Sequence, residues 1–237
     1  AESMDLPLSK VINRVEELEE INPMLGTRGV RLGITVPEIY VMQARAIFEA
    51  ACLVKKNTGR KIKPEIMIPL VSANREVELV KARVDAVASS VQSETGISVE
   101  YSLGVMVETP RAALRAHDIA RTVDFMSFGT NDLTQMTYGL SRDDAGRFMR
   151  EYVNQEIYDE DPFLTLDIHG VGELLSIAAD RSRSVKPDIL LGLCGEHGGD
   201  PESIIFCHEA GFDYVSCSPF RTPIARLAAA QAELMKR

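Results

Sequence analysis

Short apolar runs alternate along the chain with longer segments in which apolar residues recur every three or four positions. The runs are bounded by Gly, Pro and polar residues, which is typical of buried strands. The longer segments have the spacing of helices with one buried face. The pattern predicts five strands, at residues 65–71, 99–107, 123–128, 188–193 and 213–216.

Helices are predicted before, between and after these strands. Pro37 opens a long one, in the first-turn position that proline tolerates. Strands that alternate with helices indicate a parallel sheet with right-handed crossovers, so the predicted fold class is α/β. The predicted helices are residues 8–20, 37–56, 74–91, 110–121, 165–182, 201–210 and 221–236.

The organisation of the chain is that of one domain over residues 1–237. Residues 139–162 are polar and irregular, and so long a connection is often a binding lid. Five strands are too few for a closed eight-stranded barrel, although the length nearly permits one. Either a further strand lies within residues 21–36, or the chain is part of a longer barrel.

Composition narrows the class of protein. A hydrophobic content of 45% with 26% charged residues is ordinary for a soluble globular domain. The net charge of −9 argues against a nucleic-acid or anionic-membrane surface. No apolar run reaches the roughly 18 residues of a membrane span, and no segment resembles a signal peptide. The four cysteines lack C-x-x-C spacing, so we expect neither zinc nor disulfides, and a cytoplasmic setting.

Polar side chains follow three of the predicted strands at the point where each strand ends. Glu108 follows the second strand, and Cys194 follows the fourth. Asn131 and Asp132 come shortly after the third strand, in the segment SFGTNDLT. Because ligands bind at the carboxyl edge of parallel sheets, we expect these side chains to line one site.

Several of these residues also have a simpler interpretation. Asn131 or Asp132 could cap the helix that follows, which is the commoner role for either taken alone. Cys194 could be an inert buried thiol, although its glycine-rich and polar surroundings favour an exposed thiol that exchanges protons. His197, in a glycine-rich loop, is expected at the surface.

The residue types suggest a definite chemistry. A Mg²⁺ ion held by Glu108 and Asp132 could chelate a 2-oxo acid, and the thiol of Cys194 could deliver or remove its methyl proton. Arg28 lies among small residues in NPMLGTRG and is a candidate clamp for a phosphoryl group. A solvated charge is the alternative for Arg28 and the favoured interpretation for Arg31.

At this point the chain resembles the phosphoenolpyruvate (PEP)-utilising enzymes over nearly all of residues 20–235. GEHGGDPESI and SCSPFR are more similar to the pyruvate, phosphate dikinases than to PEP synthase or enzyme I of the sugar phosphotransferase system. The motifs that carry the family resemblance are NPMLGTRGVRLG (Asn22–Gly33), GVMVETPRA (Gly104–Ala112), SFGTNDLTQ (Ser127–Gln135) and GLCGEHGGDP (Gly192–Pro201).

The resemblance implies a TIM-type (β/α)8 barrel, incomplete at its N-terminal end, that binds PEP or pyruvate with Mg²⁺. Arg28 corresponds to a PEP-binding arginine, and Cys194 to the proton donor and acceptor at the methylene carbon. Glu108 and Asp132 correspond to magnesium ligands that also contact substrate. Arg142 falls where enzyme I has a substrate arginine, but in different surroundings. The other pocket residues implied are Gly129, Thr130 and Asn131.

The reaction implied is ATP, pyruvate and phosphate giving AMP, PEP and diphosphate. In it, this domain exchanges a phosphoryl group with a phosphohistidine on a separate domain. The phosphohistidine and nucleotide-binding domains are expected elsewhere in a full-length chain, and a homodimer is expected. The alternatives are the C-terminal domain of PEP synthase or enzyme I, or an inactive barrel piece whose unpaired sheet edges make an interaction surface.

Overall fold

The computed structural model describes residues 1–235, and in that part of the chain five parallel strands form one sheet. The strands lie in chain order, each hydrogen-bonded to the next. The predicted α/β class with a parallel sheet is confirmed, and the eight-stranded barrel stays a prediction. The strands are β1 (Glu65–Ile68), β2 (Ser102–Val107), β3 (Phe125–Gly129), β4 (Leu190–Cys194) and β5 (Tyr214–Val215).

Helices separate successive strands, as predicted. Three short 3-10 turns, at Glu2–Met4, Glu196–Gly199 and Pro219–Arg221, complete the regular structure of residues 1–235. The α-helices are α1 (Leu8–Leu18), α2 (Val30–Thr35), α3 (Pro37–Thr58), α4 (Asn74–Thr95), α5 (Pro110–Leu114), α6 (Ala116–Ala120), α7 (Thr130–Tyr138), α8 (Arg142–Ala145), α9 (Met149–Asn154), α10 (Val171–Val185), α11 (Pro201–Glu209) and α12 (Thr222–Met235).

The predicted helices differ from the observed ones at their ends, and two of them differ most. The helix predicted at residues 110–121 is divided into α5 and α6 at Arg115, where φ of −112° and ψ of 22° leave the helical region. The next predicted helix begins late, at Val171. The carboxylate of Asp167 accepts the backbone N–H of Gly170 at 3.1 Å and so holds the preceding residues in a turn.

Two further segments differ from expectation. Residues 139–162, predicted to be irregular, contain α8 and α9, which pack around a small cluster of Ala145, Met149 and Phe163. Residues 21–36 contain α2 where a further strand was one alternative. Lys236, at the end of the last predicted helix, lies outside the described residues.

The hydrophobic core lies between the strands and the helices that connect them. All five residues of β3 are buried, as expected for a strand in the middle of the sheet. A stripe of valines on α4 packs into the core, and fully burying each one stabilises the fold by about 1.5–3 kcal/mol. These buried valines are Val77, Val80, Val84, Val87 and Val91.

One helix stays apart from this core. α1 has no buried residue, and its apolar residues Ile12, Val15 and Leu18 are all exposed. Among residues 1–235, no helix is long and apolar enough to cross a bilayer.

Candidate active site

The carboxyl edge of the sheet brings the predicted site residues together. Glu108 directly follows β2, and Asp132 lies in the first turn of α7, directly after β3. Gly129 and Cys194 are register partners at the ends of β3 and β4. A Cβ built on Gly129 would lie 2.6 Å from Oε2 of Glu108, so this glycine lets the carboxylate pack against the end of β3.

Arg28 reaches this edge from the loop before α2. Its Nη2 contacts Oδ1 of Asp132, more than a hundred residues away in sequence. Gly29 makes the approach possible: its φ is +56°, and a Cβ there would lie 2.7 Å from the Cβ of Leu70. The buried Nε of Arg28 has no hydrogen-bond partner within residues 1–235. The contact with Asp132 therefore holds the side chain at the site.

The carboxylate of Glu108 is buried and held by the backbone. The N–H of Leu70 donates to Oε1 at 2.6 Å. Leu70 itself has a left-handed backbone, with φ of +58°, a conformation that costs a non-glycine residue of order 1 kcal/mol or more. Burial first, and the charge of Asp132 second, raise the pKa of Glu108 to about 7. Glu108 and Asp132 thus share a site that disfavours the ionised form of both carboxyl groups at once.

Asn131 and Asp132 do not act as helix caps. α7 begins at Thr130 with Gly129 before it, and no side chain caps its first turn. Oδ1 of Asn131 accepts the N–H of Glu196 at 3.4 Å, while Asp132 contacts Arg28. Both side chains are engaged across the sheet edge, so the capping alternative is wrong.

Cys194 is the last residue of β4, one position inside the strand that was predicted to end before it. Its Sγ lies 3.5 Å from Sδ of Met106 and 3.5 Å from the carbonyl oxygen of Phe128. Burial raises the pKa of the thiol, a hydrogen bond with Ser127 opposes this, and the charge of Glu108 raises the pKa further. The thiol is therefore protonated at neutral pH and lies in electrostatic range of Glu108.

The space around Cys194 is open on one side. A cavity of about 330 Å³ is bounded by Cys194, Gly195, Ser216 and Arg221 among others, but not by Glu108 or Asp132. Sδ of Met106 lies close to both Cys194 and the position of a Cβ on Gly129, so the thiol and the carboxylates face the same side of the sheet.

Arg142 and Arg31, two further arginines considered in the sequence, have different surroundings in the structure. Arg142, on α8, approaches Glu196 with 3.5 Å between Nη2 and Oε1, and both side chains are nearly half exposed. Arg31 donates to the backbone carbonyls of Leu25 and Gly26, at 2.6 and 2.9 Å, rather than standing free in solvent.

His197 was expected at the surface, and this is wrong: it is completely buried. Its Nδ1 lies 2.6 Å from Oγ1 of Thr130 and its Nε2 lies 3.0 Å from the carbonyl oxygen of Pro162. The sequence carries one signal of this burial, the glycines that follow. A Cβ on Gly198 would lie 2.1 Å from the carbonyl oxygen of Ser216, which shows how tightly this turn is packed.

Sequence reasoning also missed Ser127, Tyr214 and Leu70. Ser127 is hydrogen-bonded to Cys194 and also to Tyr214, which β5 supplies. Leu70 supplies the N–H that holds Glu108. Alternation along β3 could have indicated that Ser127 faces the same way as Gly129, but nothing in the sequence indicates the role of a backbone N–H.

Comparison with known proteins identifies the family. Residues 2–234 match the family described as "PEP-utilising enzyme, PEP-binding domain". The chain belongs to the PEP-utilising enzymes. Within them it is similar to the pyruvate, phosphate dikinases of Rhizobium meliloti (60% identity over 94% of this chain and 25% of the relative) and Clostridium symbiosum (56% over 99% and 27%). The chain therefore spans about a quarter of the length of these relatives.

The fold of this PEP-binding domain also resembles that of a more distant protein. A citrate lyase from Burkholderia xenovorans matches with a TM-score of 0.53 at 17% identity, over 80% of this chain and 53% of that one. At that identity the match shows a shared fold only. It agrees with the parallel α/β arrangement of the five strands.

Proposed function

We propose that this PEP-utilising domain binds PEP and pyruvate at the carboxyl edge of its sheet, with Mg²⁺, and exchanges a phosphoryl group with a phosphohistidine on another domain. The observation that carries the proposal is the convergence of Arg28, Glu108 and Asp132, with Cys194 on the adjoining strand. A guanidinium suits an anion, two carboxylates suit a hard cation, and a protonated thiol suits proton delivery.

The carboxylate pair fits a divalent cation. Glu108 has a raised pKa because burial and the charge of Asp132 both disfavour its ionised form, and a bound cation would offset both effects. Within residues 1–235 there is no group of three or more His, Cys, Asp or Glu placed to hold a metal. Mg²⁺ would accordingly take two ligands from Glu108 and Asp132 and the others from substrate and water, its usual arrangement in phosphoryl-transfer sites.

The bound ion would supply Lewis acidity, which lowers the energy of the negative charge that develops on the oxo oxygen of pyruvate. Side chains of the protein supply substrate binding and proton transfer. Arg28 binds the phosphoryl group or carboxylate, and the amide of Asn131, with Gly129 and Thr130, lines the pocket. The thiol of Cys194 donates its proton to C3 as PEP becomes pyruvate, and the resulting thiolate takes a methyl proton back in the opposite direction.

Oxalate tests this proposal, because it is a planar mimic of the enolate of pyruvate. Calorimetric titration of the chain with oxalate should give binding in Mg²⁺ and none in the presence of a metal chelator. Equal binding with and without the chelator would show that Glu108 and Asp132 do not hold a metal.

We propose the complete reaction for a full-length protein only, because the similar dikinases are about four times as long as this chain. Its phosphohistidine and nucleotide-binding domains would be partners of this domain, in a cytoplasmic homodimer. Identity of 52–60% to dikinases over most of the chain favours that reaction over those of PEP synthase and enzyme I. Phosphorylation of pyruvate by the full-length enzyme, dependent on both ATP and inorganic phosphate, would distinguish the dikinase from the synthase.

A further inference from the structure

His197 has a completely buried imidazole ring, and each of its two nitrogens lies within hydrogen-bond distance of a partner. Nδ1 lies 2.6 Å from the hydroxyl of Thr130, at the start of α7, and Nε2 lies 3.0 Å from the carbonyl oxygen of Pro162. A carbonyl oxygen only accepts, so Nε2 must carry a proton. Burial lowers the pKa of His197, which favours the neutral ring with Nδ1 free to accept.

Thr130 connects this ring to the strand that carries the thiol. Its Oγ1 lies 3.0 Å from the carbonyl oxygen of Cys194 as well as 2.6 Å from Nδ1 of His197. The hydroxyl has one hydrogen, which it can donate to the carbonyl oxygen of Cys194 or to a neutral Nδ1, and the shorter contact favours Nδ1. His197 therefore determines which way the hydroxyl of Thr130 points.

The turn between Cys194 and His197 surrounds the start of α7. Gly195 has φ of +97°, and a Cβ on it would lie 3.0 Å from Oδ1 of Asn131 and 3.1 Å from Oγ1 of Thr130. The next residue, Glu196, donates its N–H to the same Oδ1 of Asn131. A shift of Thr130 would move Asn131 directly and, through the helix backbone, Asp132.

We propose that His197 is a positioning residue, which holds Thr130 and thereby fixes Asn131 and Asp132 against Cys194. This role rests on the function proposed above, because that function makes Asn131 and Asp132 residues of the ligand site. His197 itself touches neither the carboxylates nor the thiol in the hydrogen bonds that its ring makes. Its effect on a ligand should pass through Thr130.

Two matched variants separate positioning from general stability. In His197→Asn the side-chain amide takes the place of Nδ1 and can still reach Thr130. In His197→Gln the amide takes the place of Nε2 and can still reach Pro162. Each variant keeps one buried hydrogen bond and loses the other, so thermal unfolding should show similar destabilisation of the two.

Binding of oxalate in Mg²⁺ should differ between them. We expect the Gln variant to bind about tenfold more weakly than the wild type, and the Asn variant to stay within about threefold, since only the first loses the bond to Thr130. Equal weakening in both variants, or no weakening in either, would overturn the positioning role.

A second set of variants changes Thr130 in place of His197. Thr130→Val removes the hydroxyl and should weaken oxalate binding as much as His197→Gln does, while Thr130→Ser retains the hydroxyl and should restore most of the affinity. In the Thr130→Val background, His197→Gln should weaken binding no further. Additive losses in this cycle would show that His197 acts by another route, and would also overturn the proposal.

A ligand-free measurement separates this inference from the proposed function. Nuclear magnetic resonance of the side-chain amide of Asn131 should show a displaced signal in His197→Gln and an unchanged one in His197→Asn. If the wild-type chain binds no oxalate, the proposed function fails. The Asn131 signal then decides the positioning role, and the same displacement in both variants would overturn it.

Discussion

At the scale of single residues, Glu108 couples the stability of this domain to pH. Its folded pKa of about 7 lies above the ordinary 4.5, so the folded state keeps a proton that the unfolded chain loses. The stability from this group is complete below pH 4.5 and is lost as pH rises through 7, by about 3 kcal/mol in total. In Glu108→Gln, the free energy of unfolding should fall less between pH 5 and 7.5.

Urea unfolding at several pH values, in chelator, measures that difference. Glu100→Gln is the matched control, since Glu100 is an exposed carboxylate on the connection just before β2 and should leave the pH slope as it is. An unchanged slope in Glu108→Gln would mean that the carboxyl ionises normally in the folded state. With Mg²⁺ present the loss should shrink, because a cation favours the ionised carboxylate.

Cys194 should matter for proton transfer and not for binding. In Cys194→Ala, exchange of the methyl protons of pyruvate with solvent deuterium should stop, while the affinity for oxalate stays within about threefold, since the proposed site holds oxalate through Arg28 and through Mg²⁺ on Glu108 and Asp132. Cys52→Ser, at a buried cysteine of α3, is the control and should retain exchange. If oxalate binding is lost as well in Cys194→Ala, the thiol has a structural role.

At the scale of elements, the end of β3 must be glycine for the site to form. In Gly129→Ala the new Cβ would lie 2.6 Å from Oε2 of Glu108 and 3.0 Å from Sδ of Met106, so the carboxylate must move. We expect affinity for oxalate with Mg²⁺ to fall by about tenfold or more, since precise placement of charged ligands governs such sites.

The control for this prediction is Gly146→Ala. Gly146 follows α8 with a right-handed backbone and has nothing within 4 Å of an added Cβ. Calorimetry on both variants should therefore show a loss only in the first. Unchanged affinity in Gly129→Ala would mean that Glu108 is free to move without cost and is not held as a ligand.

How well the sequence predicts an element depends on whether neighbouring or distant residues determine its structure. The buried central strands β2, β3 and β4 follow from local periodicity, as does a helix with one buried face at α4, and both were predicted. α8 and α9 are too short to be stable on their own, and they form over the cluster of Ala145, Met149 and Phe163, which no local pattern reveals. The burial of His197 likewise depends on partners distant in sequence.

The same distinction applies to the site. Strand ends place Glu108, Asp132 and Cys194 at one edge by topology alone, and the structure brings them there. The contact of Arg28 with Asp132 depends on how the loop before α2 docks against the end of β1, where the N–H of Val30 donates to the carbonyl oxygen of Pro69 at 3.0 Å. That docking is a tertiary interaction, which the resemblance to the family indicated and the residue pattern did not.

At the scale of the whole molecule, the site connects parts of the chain that lie far apart in sequence. Arg28 comes from the loop before α2, Glu108 from the end of β2 and Asp132 from the start of α7. A ligand that engages all three should therefore stabilise the domain as a unit. At a concentration 100 times its dissociation constant, a ligand adds about 2.7 kcal/mol to the free energy of unfolding.

For a domain of this size that gain corresponds to a rise in Tm of about 5–10 °C. Because the proposed Mg²⁺ site takes ligands from the protein and from the anion, we expect the full rise only when both oxalate and Mg²⁺ are present and little with either alone. Differential scanning calorimetry with each component separately and together measures it. Arg28→Met should reduce the combined shift, because the anion loses its guanidinium. A full shift from oxalate in chelator would place the anion on Arg28 alone and remove the carboxylates from the site.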